Sequence, residues 1–275
     1  MEKINVLCPA KINLFLNIIG KNDGMHDMHM INQTVDLYDT LEISVNGTLF
    51  DHFECNNSQI DTNDNSVLKA LKIMRYLYDI RFGFDIKLTK RIPLESGLGG
   101  ESTDAAGLIL GINDLFKLNL DMETLIKIGL TIGADVPFCL VGGTALVSEI
   151  GNVIKPIQRL IDNYVIIKPD FGLKTKDMFQ KFDQSFPVYK VLDELCIGWN
   201  DFEIVAPLEI QTYKERLINN GAFTANMSGS GSAVIGYFHD TKSQLRTYKL
   251  LRKFFEIYPV MACDGVEILN KKSLC

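Results

Sequence analysis

The 275-residue chain contains no apolar run approaching the length of about 20 residues that a bilayer-spanning helix needs. It has no C-x-x-C pair either. Its six cysteines, Cys8, Cys55, Cys139, Cys196, Cys263 and Cys275, are scattered, with no histidine at metal-site spacing from any of them. That excludes a zinc ribbon or knuckle and predicts free thiols in a reducing compartment. Positive charge is not in excess. With 28 Lys and Arg against 34 Asp and Glu the net charge is -6, which argues against nucleic acid or an anionic membrane as partner. The first strand-like stretch, Ile4 to Leu7, leaves no room ahead of it for a targeting segment, so a cytoplasmic location is expected. Repeats, low-complexity tracts and Pro/Gly/Ser linkers are also missing. What is present is ordinary globular composition, 47% hydrophobic and 23% charged. Any phosphate this acidic chain handles must be held by a local device.

At roughly 150 residues per domain, the length fits one large domain or two lobes sharing a core. Alternating apolar residues over 4–20 and 34–45 predict strands, with the polar KNDGMHDMH between them as a turn or short loop. The apolar stripe from Asn65 to Ile80 predicts a helix, and 82–93 returns to strand before Pro93. Ser102, Thr103 and Asp104 supply helix-start chemistry for a buried helix from Ala105 to Phe116. A second helix runs to Gly133 with Asp121 as its N-cap. Residues 134–151 read as a loop and a hairpin around Gly142-Gly143. Beyond these, a strand over Tyr164–Lys168 and helical segments between about 175 and 220 are expected. A Gly/Ser turn then enters a strand (227–238), followed by a helix (242–255) and a closing strand (265–269). Strands and helices intermix without regular β-α-β spacing, which predicts an α+β fold.

Four segments carry possible chemistry. In PLESGLGGEST (Pro93–Thr103) glycines at 97, 99 and 100 let several backbone N–H groups converge on one anion, and a following helix adds its N-terminal dipole. It is neither a Walker loop nor a G-x-G-x-x-G dinucleotide loop, and an ordinary glycine-rich turn before a helix has the same composition. Lys11, in an otherwise apolar strand, either points into a cleft or snorkels to solvent. Asp135 is one carboxylate in an apolar stretch: either Lys11 neutralises it or it caps a turn. Ser228-Gly229-Ser230-Gly231-Ser232 is a second small-residue loop of a kind common in hairpins.

Their order adds what each lacks singly. PAKINLFLNI (9–18), DGMH (23–26), PLESGLGGESTDAA (93–106), GADVPF (133–138), GGTAL (142–146), NDFE (200–203) and SGSGSAV (228–234) together resemble the GHMP kinase superfamily, named for galactose, homoserine, mevalonate and phosphomevalonate kinases. Within it, the chain is similar to the branch that phosphorylates the 2-hydroxyl of a cytidine diphosphate-linked methylerythritol in the non-mevalonate route to isoprenoid precursors. The resemblance implies a two-lobed α+β fold, with an ATP-binding lobe over 1–155 and a C-terminal α/β sandwich lobe over 156–275. It implies ATP and Mg²⁺ as cofactors, with no metal-ligand set on the protein, a small-molecule acceptor, and a monomer or weak homodimer. Pro93, Leu94, Glu95, Ser96, Gly97, Leu98, Gly99, Gly100, Glu101, Ser102 and Thr103 match the family's triphosphate loop. Asp135 matches the carboxylate that takes the proton from the acceptor hydroxyl. Lys11 matches the partner that keeps this carboxylate ionised and stabilises the developing alkoxide. Asn13, Met25, His26 and Thr175 match positions beside the acceptor, with His26 reading the cytosine ring.

Two departures stand out. Glu101 replaces a glycine and Thr103 a serine of the family loop, and a carboxylate in the cradle repels phosphate unless it points away or meets a cation. Met25 replaces an aromatic residue, and a methionine packs against a base more adaptably. The alternatives are a related kinase for another small alcohol and a silent ligand-binding protein that keeps the fold. The first would turn over ATP with mevalonate or homoserine. Joint retention of Lys11 and Asp135 argues against the second.

Overall fold

Two long strands, β1 (Lys3–Asn22) and β2 (Met25–Val45), open the chain and turn at Asp23-Gly24, both at positive φ (48° and 82°). The turn expected over KNDGMHDMH is therefore two residues long, and its flanks are strand. The structure is a computed structural model and describes residues 3–192 and 196–269; Cys275 lies outside them. Bulges interrupt the β1–β2 pairing at Pro9/Ala10, Asn13/Phe15 and Ile18/Gly20. A bulge shifts which residues face which side. Ile4, Val6 and Cys8 pack into one apolar cluster and Ala10, Ile12 and Leu14 into a second; the extra residue at Leu14 then returns Leu16 and Ile18 to the first. Lys11 and Asn13 alternate with the second set and so face away from it.

After β3 (His52–Cys55), helix α1 (Ser66–Tyr78) is capped by Asn65, whose side chain accepts from the Leu68 N–H. Strand β4 (Phe84–Thr89) leads into α2 (Gly100–Leu115), then α3 (Met122–Leu130, capped by Asp121), α4 (Val136–Val141), β5 (Thr144–Glu149) and β6 (Val153–Pro156). Two expectations fail here. Helix α2 begins at Gly100, so Ser102, Thr103 and Asp104 lie inside it rather than before it. VPFCLV is a helix, not a loop: Pro137 sits in its first turn, where a missing N–H costs nothing, and Gly142 ends it. The hairpin consequently falls between β5 and β6, not at Gly142-Gly143.

The second half adds β7 (Asn163–Lys168), α5 (Thr175–Gln184), β8 (Trp199–Asn200), α6 (Glu209–Ile218), β9 (Thr224–Met227), β10 (Val234–Phe238), α7 (Thr241–Leu251), β11 (Glu256–Met261) and β12 (Glu267–Leu269). An eight-stranded sheet has the order β12-β1-β2-β4-β3, with β5 and β6 continuing from β2 and β8 beside β1. A four-stranded antiparallel sheet has the order β11-β7-β10-β9. The architecture is α+β. The second apolar cluster joins the sheets, setting Ile12 and Phe15 of β1 with Tyr164, Ile166, Ile235 and Tyr237. This junction brings the front of α2 against loops from both halves of the chain. Among the described residues no helix is long and apolar enough to cross a membrane, and the five described cysteines are free.

Candidate active site

The loop between β4 and α2 is fixed by backbone bonds on both sides. Lys11 N–H donates to Leu98 O (2.8 Å), Ala233 N–H to Ser96 O (3.0 Å), and the Ser228 hydroxyl to Gly97 O (3.1 Å). Gly97 has φ 74°, and a Cβ there would fall 2.0 Å from Ser228 O. Gly99 has φ 70°, and its Cβ would fall 2.7 Å from Lys11 Cγ. Only glycine lets the loop lie this close to both neighbours. Gly99 is also the N-cap of α2 and offers no side chain, so the first-turn N–H groups of a 16-residue helix are left without a side-chain cap. They border a cavity of about 320 Å³ lined by Pro93 to Ser102, Asp135, Lys174, Thr175 and Ser230. Uncapped donors, a helix dipole and the Lys174 ammonium make this cavity suited to a polyanion.

Lys11 is 4% exposed, and its stem runs beneath Gly99. Its Nζ donates to Asn13 Oδ1 (2.9 Å) and lies 3.3 Å from Asp135 Oδ2. Asn13 Nδ2 in turn donates to Asn32 Oδ1 (2.7 Å). Asp135 occupies the N-cap position of α4, yet its side chain makes no capping bond. Of the two readings open from the sequence, the structure realises the pairing with Lys11. Lys11 reaches Asp135 from beneath Gly99 of the loop. Partly exposed carboxylate and glycine loop thus share one cavity wall, with the Lys11 ammonium directly behind them.

The remaining expected residues spread along the cleft. Thr175, the first residue of α5, shares a hydrogen bond with Ser230 (2.9 Å). The His26 ring stacks on Phe179 of α5 (4.4 Å between centroids, 18° between planes), and its Nε2 lies 2.7 Å from Asp183 Oδ1. Asp183 also accepts from Lys21 Nζ (2.5 Å); Lys21 first, and His26 after it, hold this carboxyl below the usual carboxylate range. Met25, beside His26, is half exposed. Glu101 is exposed on the first turn of α2, between the first cavity and a second of about 300 Å³ lined by residues including Asp61, Asn65, Ser66 and Lys69. Its backbone carbonyl accepts from the Ser66 hydroxyl (2.7 Å), and no ion pair engages its carboxylate among the described residues. Thr103 is not in the cavity wall: it is buried, with an unpartnered hydroxyl.

Sequence reasoning missed Phe179, Asp183 and Lys174, which lie on or before an amphipathic helix whose pattern reports burial alone. It also missed three buried charges behind the loop, Asp39, Lys90 and Asp104.

Comparison with known proteins adds an independent observation. Residues 65–143 match the family "GHMP kinases N terminal domain", and residues 179–257 match "GHMP kinases C terminal". A Clostridium tetani protein named 4-diphosphocytidyl-2-C-methyl-D-erythritol kinase is 37% identical over 271 residues, covering 90% of this chain and 96% of the relative. A Clostridium beijerinckii protein of the same name is 38% identical over 270 residues, with the same coverage. The crystal structure of a 4-(cytidine 5'-diphospho)-2C-methyl-D-erythritol kinase superposes with a TM-score of 0.80 at 27% identity, covering 95% of this chain and 100% of that one. A mevalonate kinase structure, at 18% identity and a TM-score of 0.73, shares the fold.

Proposed function

Since the chain belongs to the GHMP kinase family, we propose that it transfers the γ-phosphoryl group of ATP to the 2-hydroxyl of 4-diphosphocytidyl-2-C-methyl-D-erythritol, a step of non-mevalonate isoprenoid precursor synthesis. The observation that carries this reading is Asp135, which lines a cavity built by uncapped helix donors and lies 3.3 Å from the buried Lys11 ammonium.

Phosphoryl transfer asks little covalent chemistry of a protein and much positioning and charge stabilisation. The loop from Pro93 to Ser102 holds the triphosphate through backbone N–H groups, with Lys174 facing it. Among the described residues no group of three or more His, Cys, Asp or Glu side chains converges on a metal position. Mg²⁺ accompanying ATP would neutralise phosphate charge at the Pro93–Ser102 loop. The Asp135 carboxylate accepts the proton of the attacking hydroxyl. An ammonium has three N–H donors; Asn13 takes one, which leaves the others for Asp135 and for the oxygen on which negative charge develops. At the far end of the cleft, His26 on its Phe179 platform and Met25 receive the cytosine. The enzyme works in the cytoplasm as two lobes, 1–155 and 156–275, the second lending β8 and β12 to the sheet of the first.

An ADP-release assay with purified protein tests the reading. ADP should form with the cytidyl substrate and not with mevalonate or homoserine. Release with either of those alcohols and none with the cytidyl compound would assign the protein to another member of the family, and release without any acceptor would remove the kinase reading.

A further inference from the structure

Behind the phosphate loop, away from the reacting groups, lie three charged side chains that the mechanism above does not use. Lys90, Asp39 and Asp104 are 2%, 0% and 3% exposed at their side chains. Lys90 Nζ donates to Asp39 Oδ2 and, at 2.7 Å, to Asp104 Oδ2. The other oxygen of Asp39 accepts from the backbone N–H groups of Arg91 (2.5 Å) and Ile92 (2.9 Å). A Cβ on Gly100, the first residue of α2, would sit 3.0 Å from Lys90 Nζ. One ammonium therefore touches three elements at once. It belongs to the segment entering the loop, its first partner stands on β2 and bonds the loop's first residues, and its second stands one turn into the helix that leaves the loop.

Charges are not buried this way for stability. An apolar cluster of the same volume would serve as well or better, because the desolvation cost of the buried charges offsets most of their mutual attraction. What a buried polar cluster supplies is fixed direction and distance, here between the two ends of a loop whose middle is held at Ser96, Gly97 and Leu98 but whose ends are not. A second reason bears on charge. A lysine near a helix N-terminus opposes the helix dipole, so its placement there makes sense only if the carboxyl groups it bonds hold it. Burial pulls the Lys90 ammonium down, yet Asp104 and Asp39 together outweigh this and keep it above the usual lysine range.

We infer that Lys90 and Asp104 are positioning residues for the donor nucleotide: their bond sets the spacing between the entry of the phosphate loop and the first turn of α2, and so aims the N–H groups that bind the triphosphate. The inference rests on the reading of this loop as the ATP site and does not involve the acceptor. Removing the bond lets the entry and the helix drift apart, which loosens ATP binding while Lys11, Asp135 and the acceptor end of the cleft stay as they are.

The test is ATP binding by calorimetry, with thermal unfolding and steady-state kinetics on the same full-length variants. Asp104→Ala leaves Lys90 with Asp39, a balanced pair, and cuts only the link to α2. Asp104→Asn keeps an oxygen that accepts from Lys90. The expected result is a loss of ATP affinity of about tenfold in Asp104→Ala, with kcat at saturating ATP and KM for the acceptor within about threefold, and recovery of most of the affinity in Asp104→Asn. Should Asp104→Ala fail to fold, Asp39→Asn/Lys90→Met/Asp104→Leu, which leaves no buried charge and keeps a side-chain oxygen on the Arg91 and Ile92 amides, is expected to fold and to show the same ATP defect. Unchanged ATP affinity in a folded variant, or equal losses for Asp104→Ala and Asp104→Asn, would overturn the inference. Wild-type protein that binds no ATP at all would instead remove the reading of the loop, so the two failures are distinguishable.

Discussion

Gly97→Ala is the most demanding single change for the phosphate loop. At φ 74° the new side chain occupies the left-handed region, which costs about 1–2 kcal/mol for an L-residue. The steric part is larger. The Cβ would lie 2.0 Å from Ser228 O and 3.0 Å from Gly231 N, all of them backbone atoms that no rotamer change can clear. Restoring ordinary contact requires the loop and the Ser228–Gly231 turn to part by more than about 1 Å, and a 1 Å misplacement of positioned groups costs on the order of 100-fold in rate. The same movement strains the Ser228–Gly97 and Ala233–Ser96 bonds that join the two halves of the cleft. We therefore expect kcat/KM for ATP to fall about 100-fold in the ADP-release assay, and the unfolding midpoint to fall by a few degrees. Gly133→Ala provides the contrast. Gly133 has no positive φ, and its Cβ would meet only Val136 Cγ2 at an ordinary 3.6 Å; activity should stay within about twofold. If Gly97→Ala keeps near-normal kcat/KM, the loop is not held against the Ser228 turn as described.

Two further changes read charge. Glu101→Gln removes an exposed carboxylate from the rim of the cavity; with repulsion of about 0.5–1 kcal/mol across solvent, KM for ATP should drop about two- to fivefold at low salt and less at high salt. An unchanged KM would mean that the carboxylate points away from the nucleotide. Burial pushes the Asp104 carboxyl from its ordinary 3.8 up to about 8, although Lys90 pulls the other way and Asp39 adds to the rise. The folded state thus holds this proton more tightly than the unfolded chain. The associated stability is complete below about pH 4 and is lost progressively as pH rises to about 8. Unfolding midpoints of Asp104→Asn should accordingly gain on the wild type between pH 5 and 8. Parallel curves would contradict the assignment.

The sequence is most readable where one residue type has one physical use. Glycines 97, 99 and 100 before an apolar helix, an alternating first strand, and Asn65 or Asp121 ahead of an apolar stripe each point to what the structure contains. It misleads where local chemistry competes. Ser102, Thr103 and Asp104 look like helix caps, but the glycine loop has already supplied the left-handed turn at Gly99, so α2 begins earlier and Asp104 goes inward to Lys90. VPFCLV, rich in β-forming residues, is helical because its apolar side chains pack between α2 and α3. Asp135 could not be assigned from its neighbours, because its partner is 124 positions away on a strand whose bulges are invisible to periodicity. Phe179 and Asp183 were hidden for a related reason: what gives them meaning is His26, brought to them only by the tertiary fold.

The central claim is that Asp135, paired with Lys11, is the base for transfer from ATP to a cytidine diphosphate-linked alcohol. The measurement that tests it most directly is the single-turnover rate of phosphorylated product formation from the cytidyl substrate, in wild type and in Asp135→Asn, at an ATP concentration shown to saturate both. The account predicts product from the wild type, and from Asp135→Asn a rate lower by about 100- to 10,000-fold with ATP affinity retained. A rate in Asp135→Asn within a few-fold of wild type would contradict it.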